Sequence, residues 1–289
     1  MTNNDFKHWL NLSEQRTPNR YEKGIPSGIY HASPGLNAST LGEPHAIHMR
    51  HEWCRDHKPT TSKTLGTYLH KMLLEPCECD LIDGFEEFFT FAPGASLVSR
   101  EAVKHQEANP DKTMVLDWMP KAARAMKNAI MADPKCSEIM CWQAEKEISG
   151  YAWDETHQIM RKIRMDWMPI TGDSLADVKT CESVDELDYW RTCMKWDYPM
   201  KAAFYLDTDA LITGRLRTTF VHIAVTSEEP HIARMVVLAP DMIEEGRKRY
   251  QERMTRLLHA HRTGNYDPFH DEHGYLLLTA QRPFSTPTP

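Results

Sequence analysis

"DWMPITGDSLADVKT", Asp166 to Thr180, decides how this chain is read. Two apolar-rich flanks enclose a turn, Thr171-Gly172-Asp173-Ser174, and both flanks carry the period-two pattern of half-buried strands. Upstream, in "HQIMRKIRMDWM", the alternation puts Asp166 on one face with Arg164 and Lys162. Downstream, Asp177 and Lys179 share a face, while Ala176 and Val178 point into a core. A hairpin centred between Thr171 and Gly172 pairs positions whose numbers sum to a constant, so Asp166 lies opposite Asp177. Cβ atoms of opposed residues are about 5 Å apart, and like charges at that distance destabilise a sheet. A divalent cation between them reverses the sign, and hard, oxygen-ligated Mg²⁺ is the natural candidate. Lys179 beside it would position a water or stabilise charge on a phosphate.

A third acid precedes the hairpin in "QAEKEISGYAWD", where the spacing leaves Glu145 and Glu147 as alternatives. His70, in "LGTYLHKMLLEP", is a fourth candidate. A lone histidine on an apolar helix is more often a hydrogen-bonded core residue. Imidazole is not the preferred Mg²⁺ ligand but suits Mn²⁺.

The rest of the chain alternates helix and strand patterns. Ser39 or Thr40 is placed to cap a helix running to about residue 57. Leu65, Tyr68, Leu69, Met72 and Leu73 recur at helical spacing until Pro76. Residues 77–112 read as irregular. Pro120 opens a helix and Pro134 lies just past its end. "EKEISGYAWD", "HQIMRKIRMDWM" and "SLADVKT" form a three-strand block, followed by a helical stretch interrupted near Pro199. "TTFVHIAVTS" and "HIARMVVLAP" are two further strands, and a long helix ends near Gly264. This order predicts one α/β domain, a central mixed sheet flanked by helices with an N-terminal helical elaboration. Residues 1–23 read as a flexible arm, 24–267 as the domain and 268–289 as a peripheral tail.

Composition narrows the function. Apolar residues make up 41% and charged residues 26% of 289, an ordinary globular balance. No run of about 18 apolar residues exists, so no membrane partner is expected. The polar N-terminus lacks the apolar core of a signal peptide. Seven irregularly spaced cysteines without a C-x-x-C pair read as reduced thiols in a cytoplasm-like compartment. A net charge of −7 argues against a nonspecific DNA-coating protein, yet leaves room for a basic channel. His45, His48, His51, Cys54 and His57 have zinc-like spacings, but steps of three drift around a helix, so not all five converge, and a structural or surface role is the expectation.

With these pieces placed, the chain resembles the PD-(D/E)xK nuclease superfamily. More narrowly it is similar to the RecE-type exonucleases, the C-terminal domain of exonuclease VIII and its phage relatives. The matching segments are "GIYHASPGLNASTL", "LGTYLHKMLLEP", "EISGYAWD", "RMDWM", "ADVKT", "KAAFYLD" and "TTFVHIAV", over roughly residues 24–267. The resemblance implies a restriction-endonuclease-like core and an exodeoxyribonuclease that uses Mg²⁺, with Mn²⁺ as a substitute. It implies digestion of linear double-stranded DNA from its ends, 5′ to 3′, exposing a 3′ strand for a RecT-like single-strand annealing protein. A homo-oligomeric ring, trimer or tetramer, and a phage or prophage gene acting in the bacterial cytoplasm are further implications. The resemblance assigns His70, Asp166 and Asp177 to the metal, Lys179 to catalysis and Glu147 as the first-strand acid. Tyr205 fits the family's tyrosine, but Lys201 stands where a glutamine is expected four residues earlier. Lysine still contacts phosphate but cannot accept a hydrogen bond. A nuclease of this kind grips phosphates rather than base edges, and Arg161, Lys162, Arg164, Arg215, Arg217 and the Arg247-Lys248-Arg249 cluster are the candidates to line its DNA path. Two other readings keep the fold: an idle DNA-end-binding scaffold that recruits the annealing protein, and a single-strand or structure-specific nuclease.

Overall fold

The computed structural model describes residues 12–42, 60–74, 88–94 and 96–264. Its centre is a six-stranded sheet of order β1-β4-β5-β6-β7-β8. The strands are β1 (Arg20–Glu22), β4 (Ala144–Asp154), β5 (Ile159–Pro169), β6 (Ser174–Cys181), β7 (Thr219–Thr226) and β8 (Ala233–Val237). All neighbours are antiparallel except β6 and β7, so the sheet is mixed, as the alternation of patterns predicts. The parallel pair is joined by two helices, α7 (Glu186–Lys195) and α8 (Tyr198–Thr213), because a parallel connection needs a crossover. Those helices are separated at Trp196 and Asp197, Asp197 being left-handed at φ 53°; Pro199 sits inside the first turn of α8.

The two faces of the sheet bury different layers. On one face α7, α8 and α9 (Pro240–Thr263) pack through Tyr189, Phe204, Leu206, Tyr250 and Leu257 onto Ile148, Ile163 and Leu175. On the other, α3 (Thr61–Leu74), α5 (Met119–Ala132) and α6 (Pro134–Met140) pack through Leu65, Leu69, Met126 and Ile139 onto Trp167, Val178 and Ile223. Each large apolar side chain buried this way contributes about 1.5–3 kcal/mol. The helical spacing of Leu65, Tyr68, Leu69 and Leu73 is the inward stripe of α3, as expected.

Several expectations change. Residues 77–112 are not uniformly irregular: β2 (Phe89–Ala92) and α4 (Arg100–Ala108) lie within them, and β2 pairs in parallel with β3 (Thr113–Leu116). Four-residue strands show too few alternations to stand out among Gly, Pro and charge. The cap of α2 (Ala38–Gly42) is Asn37, whose Oδ1 accepts from the Thr40 N–H at 2.9 Å, rather than Ser39 or Thr40. Pro134 not only follows α5 but opens α6, with Asp133 capping the Cys136 N–H at 2.8 Å. The described part of the expected arm is bound: β1 edges β4, Met160 N–H donates to Ser13 O, and Asn19 bridges Leu211 O and Trp153 N. Outside the described residues lie 1–11, the 43–57 part of the expected helix, the His45–His57 group, Pro76, Cys77 and Cys79, and the tail 268–289.

Candidate active site

The site begins where the central hairpin comes apart. β5 and β6 share the ladder pair Trp167–Ala176, and beyond it the strands part. That register has the same sum as a turn centred between Thr171 and Gly172, so Asp166 and Asp177 face each other at the mouth of the fork. The Asp166 carboxylate bridges it, accepting the Val178 N–H at 2.9 Å. Deeper in, β5 finds another partner: Leu36 N donates to Met160 O at 2.9 Å, and Lys162 N donates to Leu36 O at 2.8 Å. The wedge between α1 (Ser27–Ala32) and α2 thus replaces β6 beside β5 and keeps the fork open.

Lys162 locks this wedge. Its ammonium, almost fully buried, donates to the carbonyls of Tyr30, His31 and Ser33 at 3.0, 3.0 and 2.5 Å. Burial lowers its pKa to about 8. Strict alternation, which placed Lys162 and Arg164 on the face of Asp166, fails here. Met168 and Met165 share one apolar cluster while Trp167 belongs to the other, so the phase slips at Asp166. The partner strand slips with it at Glu147, a non-glycine residue at φ 47°. Such a conformation persists only where the surroundings impose it, and it is concentrated at functional sites.

Five elements, α3, β4, β5, β6 and α8, deliver side chains to the fork. His70 comes from α3, which approaches β6 closely because Gly66 has no side chain; a Cβ there would lie 3.2 Å from Thr180 Oγ1. His70 Nε2 donates to Val178 O at 2.9 Å, since a carbonyl only accepts. In the neutral ring Nδ1 is then a lone pair, and it faces Asp166 Oδ2 at 3.4 Å. Burial, then the Lys179 charge, hold the imidazole below its ordinary pKa and so neutral. One ligand atom each from His70, Glu147 and Asp166 lie within 4.8 Å of one another. Glu147 Oε2 also takes the Arg164 Nε–H at 2.5 Å, and Arg164 is tied to Ile25 O and Ser149 Oγ. Glu145, the alternative acid, instead pairs at the surface with Lys23 at 2.6 Å.

Asp177 and Lys179 form a tight ion pair on β6. Burial and the facing Asp177 push the Asp166 carboxyl well above the usual range. For Asp177 burial acts in the same sense, but the Lys179 ammonium outweighs it and holds the group below the usual range. Burial alone would lower Lys179; Asp177 and Asp166 raise it instead, so it stays charged. Three carboxylates, Glu147, Asp166 and Asp177, thus meet two cations, Arg164 and Lys179, beside the lone pair of His70. A cluster of this composition fits a divalent cation: oxygen donors predominate, and the surplus charge is negative.

From α8, Tyr205 approaches Asp166, Asp177 and Tyr30, and burial raises its hydroxyl pKa so far that it remains a neutral phenol. Lys201, one turn earlier, and Lys179 both flank the Tyr198 ring, with their Nζ atoms 5.6 and 5.3 Å from its centroid. Most of the other expected DNA contacts are engaged by groups of the protein itself. Arg161 is buried and bound to Asp154, Lys162 is spent on the wedge, Arg164 on Glu147, and Arg217 on Asp209, Pro169 O and Ser174 O. Arg247 and Arg249 are engaged with Asp207 and Asp197. Arg215 is exposed and donates to Gly172 O, and Lys248 is exposed. The sequence reading overlooked Tyr30, Tyr198 and His222; a single polar residue inside the apolar run "FVHIAV" was the available signal for the last.

Comparison with known proteins agrees with this architecture. The model of a family described as "PDDEXK-like domain of unknown function (DUF3799)" matches residues 42–273. The crystal structure of a "Putative exonuclease" from Eubacterium rectale superposes with a TM-score of 0.51 at 17% identity, covering 83% of this chain and 78% of that one. At that identity the likeness speaks for the fold. No curated protein matches the sequence.

Proposed function

The chain belongs to this PDDEXK-like family, within the PD-(D/E)xK nuclease superfamily, and on that premise we propose that the fork between β5 and β6 is the active site of a divalent-metal-dependent exodeoxyribonuclease. The observation that carries the proposal is the convergence of His70, Glu147 and Asp166 beside the Asp177–Lys179 pair. His70, Glu147, Asp166 and Asp177 would hold the cation, with Mg²⁺ favoured by the oxygen donors and Mn²⁺ tolerated by the imidazole. When bound, the cation would neutralise phosphate charge and acidify water.

The chain's own groups account for the remainder. Lys179, charged and anchored by Asp177, is placed to orient the attacking water or to meet charge on the scissile phosphate. Tyr205, a neutral phenol, offers a donor without adding charge. Lys201 supplies a cation at the rim where a related glutamine would give both donor and acceptor. Arg164 and Lys162 orient Glu147 and the wedge rather than touch the substrate.

Linear duplex DNA as substrate, 5′ to 3′ polarity and a 3′ strand passed to a RecT-like annealing protein rest on the RecE-type resemblance. So do a homo-oligomeric ring, a phage or prophage origin and action in the bacterial cytoplasm. Linear duplexes labelled at either the 5′ or the 3′ end, beside covalently closed circles, test these points. Early loss of the 5′ label with circles left intact is the expected result. Cutting of circles would overturn the end requirement, and early loss of the 3′ label would reverse the polarity.

A further inference from the structure

Behind Asp177, on the strand it is paired with, lies a histidine that the proposed chemistry does not use. In the parallel β6–β7 ladder Asp177 is the register partner of His222, so both side chains project to the same face of the sheet. His222 is 1% exposed. Its ring is boxed by Tyr198, Phe220 and Tyr189, at centroid distances of 5.1, 5.7 and 6.1 Å. Its Nδ1 lies 3.1 Å from the Tyr189 hydroxyl of α7.

Burial disfavours the charged form of an imidazole, so the ring carries one proton, on one of two nitrogens. Asp177 is ionised and can only accept hydrogen bonds, as can an unprotonated imidazole nitrogen. The arrangement that avoids opposing lone pairs has Tyr189 O–H donating to Nδ1 and the ring proton on Nε2, the donor available to the Asp177 side. The tyrosine thereby selects the tautomer, as a carbonyl or carboxylate does for a metal-bound histidine.

We infer that His222 is a positioning residue for Asp177, held in its Nε2–H tautomer by Tyr189, and that the pair keeps the Asp177 carboxylate aligned in the fork. The reason such a support is needed is visible in the site. Lys179 is the salt-bridge partner of Asp177. A lysine that must also serve substrate cannot alone keep the carboxylate in place. The inference rests on the proposed metal-dependent reading of the fork and adds the groups that orient it.

The experiment compares His222→Phe, His222→Gln and Tyr189→Phe with the full-length protein in two measurements. Calorimetric titration with Mn²⁺ gives the Kd without any substrate. Digestion of linear duplex at varied Mg²⁺ and varied DNA separates half-saturating metal from KM for DNA. Outer groups that orient metal ligands typically carry about 10- to 100-fold in affinity or activity. His222→Phe is expected to weaken Mn²⁺ and raise half-saturating Mg²⁺ by such a factor, with KM for DNA unchanged. His222→Gln, which retains a side-chain N–H, is expected to recover much of the loss, and Tyr189→Phe to fall between. Because Tyr189→Phe removes one hydroxyl and no packing volume, it keeps the test decisive if His222→Phe does not fold. Unchanged Mn²⁺ affinity in a folded His222→Phe or Tyr189→Phe protein would overturn the inference, whatever the rate. Equal loss in Gln and Phe would reduce His222 to packing and overturn it too. A wild type that binds Mn²⁺ through these groups yet leaves DNA intact would sink the nuclease reading while leaving this one standing.

Discussion

At the scale of the residue, the fork is costly to the fold. Asp166 and Asp177 face each other at low exposure, and Glu147 is held left-handed beside them. Sites of this kind exchange stability for function. Asp166→Asn keeps an oxygen for the Val178 N–H and removes a charge. It is therefore expected to stabilise the cation-free protein by about 1–2 kcal/mol, seen as a higher melting temperature in EDTA, while abolishing cleavage. An unchanged or lower melting temperature would mean that the facing acids are not strained. Lys179→Met leaves Asp177 without its counter-charge. Loss of a single preorganised charge-stabilising donor typically costs on the order of 10²–10³-fold in rate, and that is the drop expected in kcat, with DNA binding retained in a filter or anisotropy assay.

At the scale of the element, close approaches and buried ties hold the fork's walls. A Cβ on Gly246 of α9 would collide with the Pro199 carbonyl at the start of α8. Gly246→Ala should therefore destabilise by about 1–3 kcal/mol through overpacking, measurable as a lower urea midpoint at constant slope. Lys162→Met removes the buried donor that ties the carbonyls of Tyr30, His31 and Ser33 to β5, and a buried polar group left unpaired costs about 1–3 kcal/mol. Both stability and cleavage are expected to fall, because the wedge holds the fork open. The β4–β5 turn supplies a pH signature. Burial raises the Asp154 carboxyl, but Arg161 and then His157 outweigh it, and the folded pKa lies below the ordinary value. Its stabilisation is complete above the unfolded pKa, about 3.9, and is lost as pH falls through the lower folded value. Stability of the wild type should thus drop below about pH 4, and Asp154→Asn should flatten that limb while costing about 3–5 kcal/mol at neutral pH. Equal acid limbs would contradict the assignment.

These elements also mark what the sequence could disclose. The hairpin register was legible because Thr171-Gly172-Asp173 fixes the turn centre and period-two alternation does the rest. The inward stripe of α3 was legible for the same reason at helical period. The slip in phase at Glu147 and Asp166 was not, because alternation assumes an unbroken pleat; Arg164 and Lys162 were placed on the wrong face in consequence. The inward turn of Arg161, toward Asp154 seven residues earlier, depends on tertiary burial that charge patterns do not report. Replacement of β6 by Leu36 along β5 is a long-range contact between segments with no shared pattern.

At the scale of the whole molecule, the mixed sheet, its two helical layers and the forked hairpin agree with membership of the PDDEXK-like family. Among the described residues no helix is long and apolar enough to cross a membrane. The central claim is that the fork hydrolyses phosphodiester bonds only when a divalent cation is present. Release of acid-soluble nucleotides from linear duplex DNA tests it most directly, in Mg²⁺ and in EDTA, with wild type beside a folded Asp177→Asn variant. The account predicts release by wild type in Mg²⁺ alone and none by the variant under either condition. Release in EDTA, or undiminished release by Asp177→Asn, would contradict it.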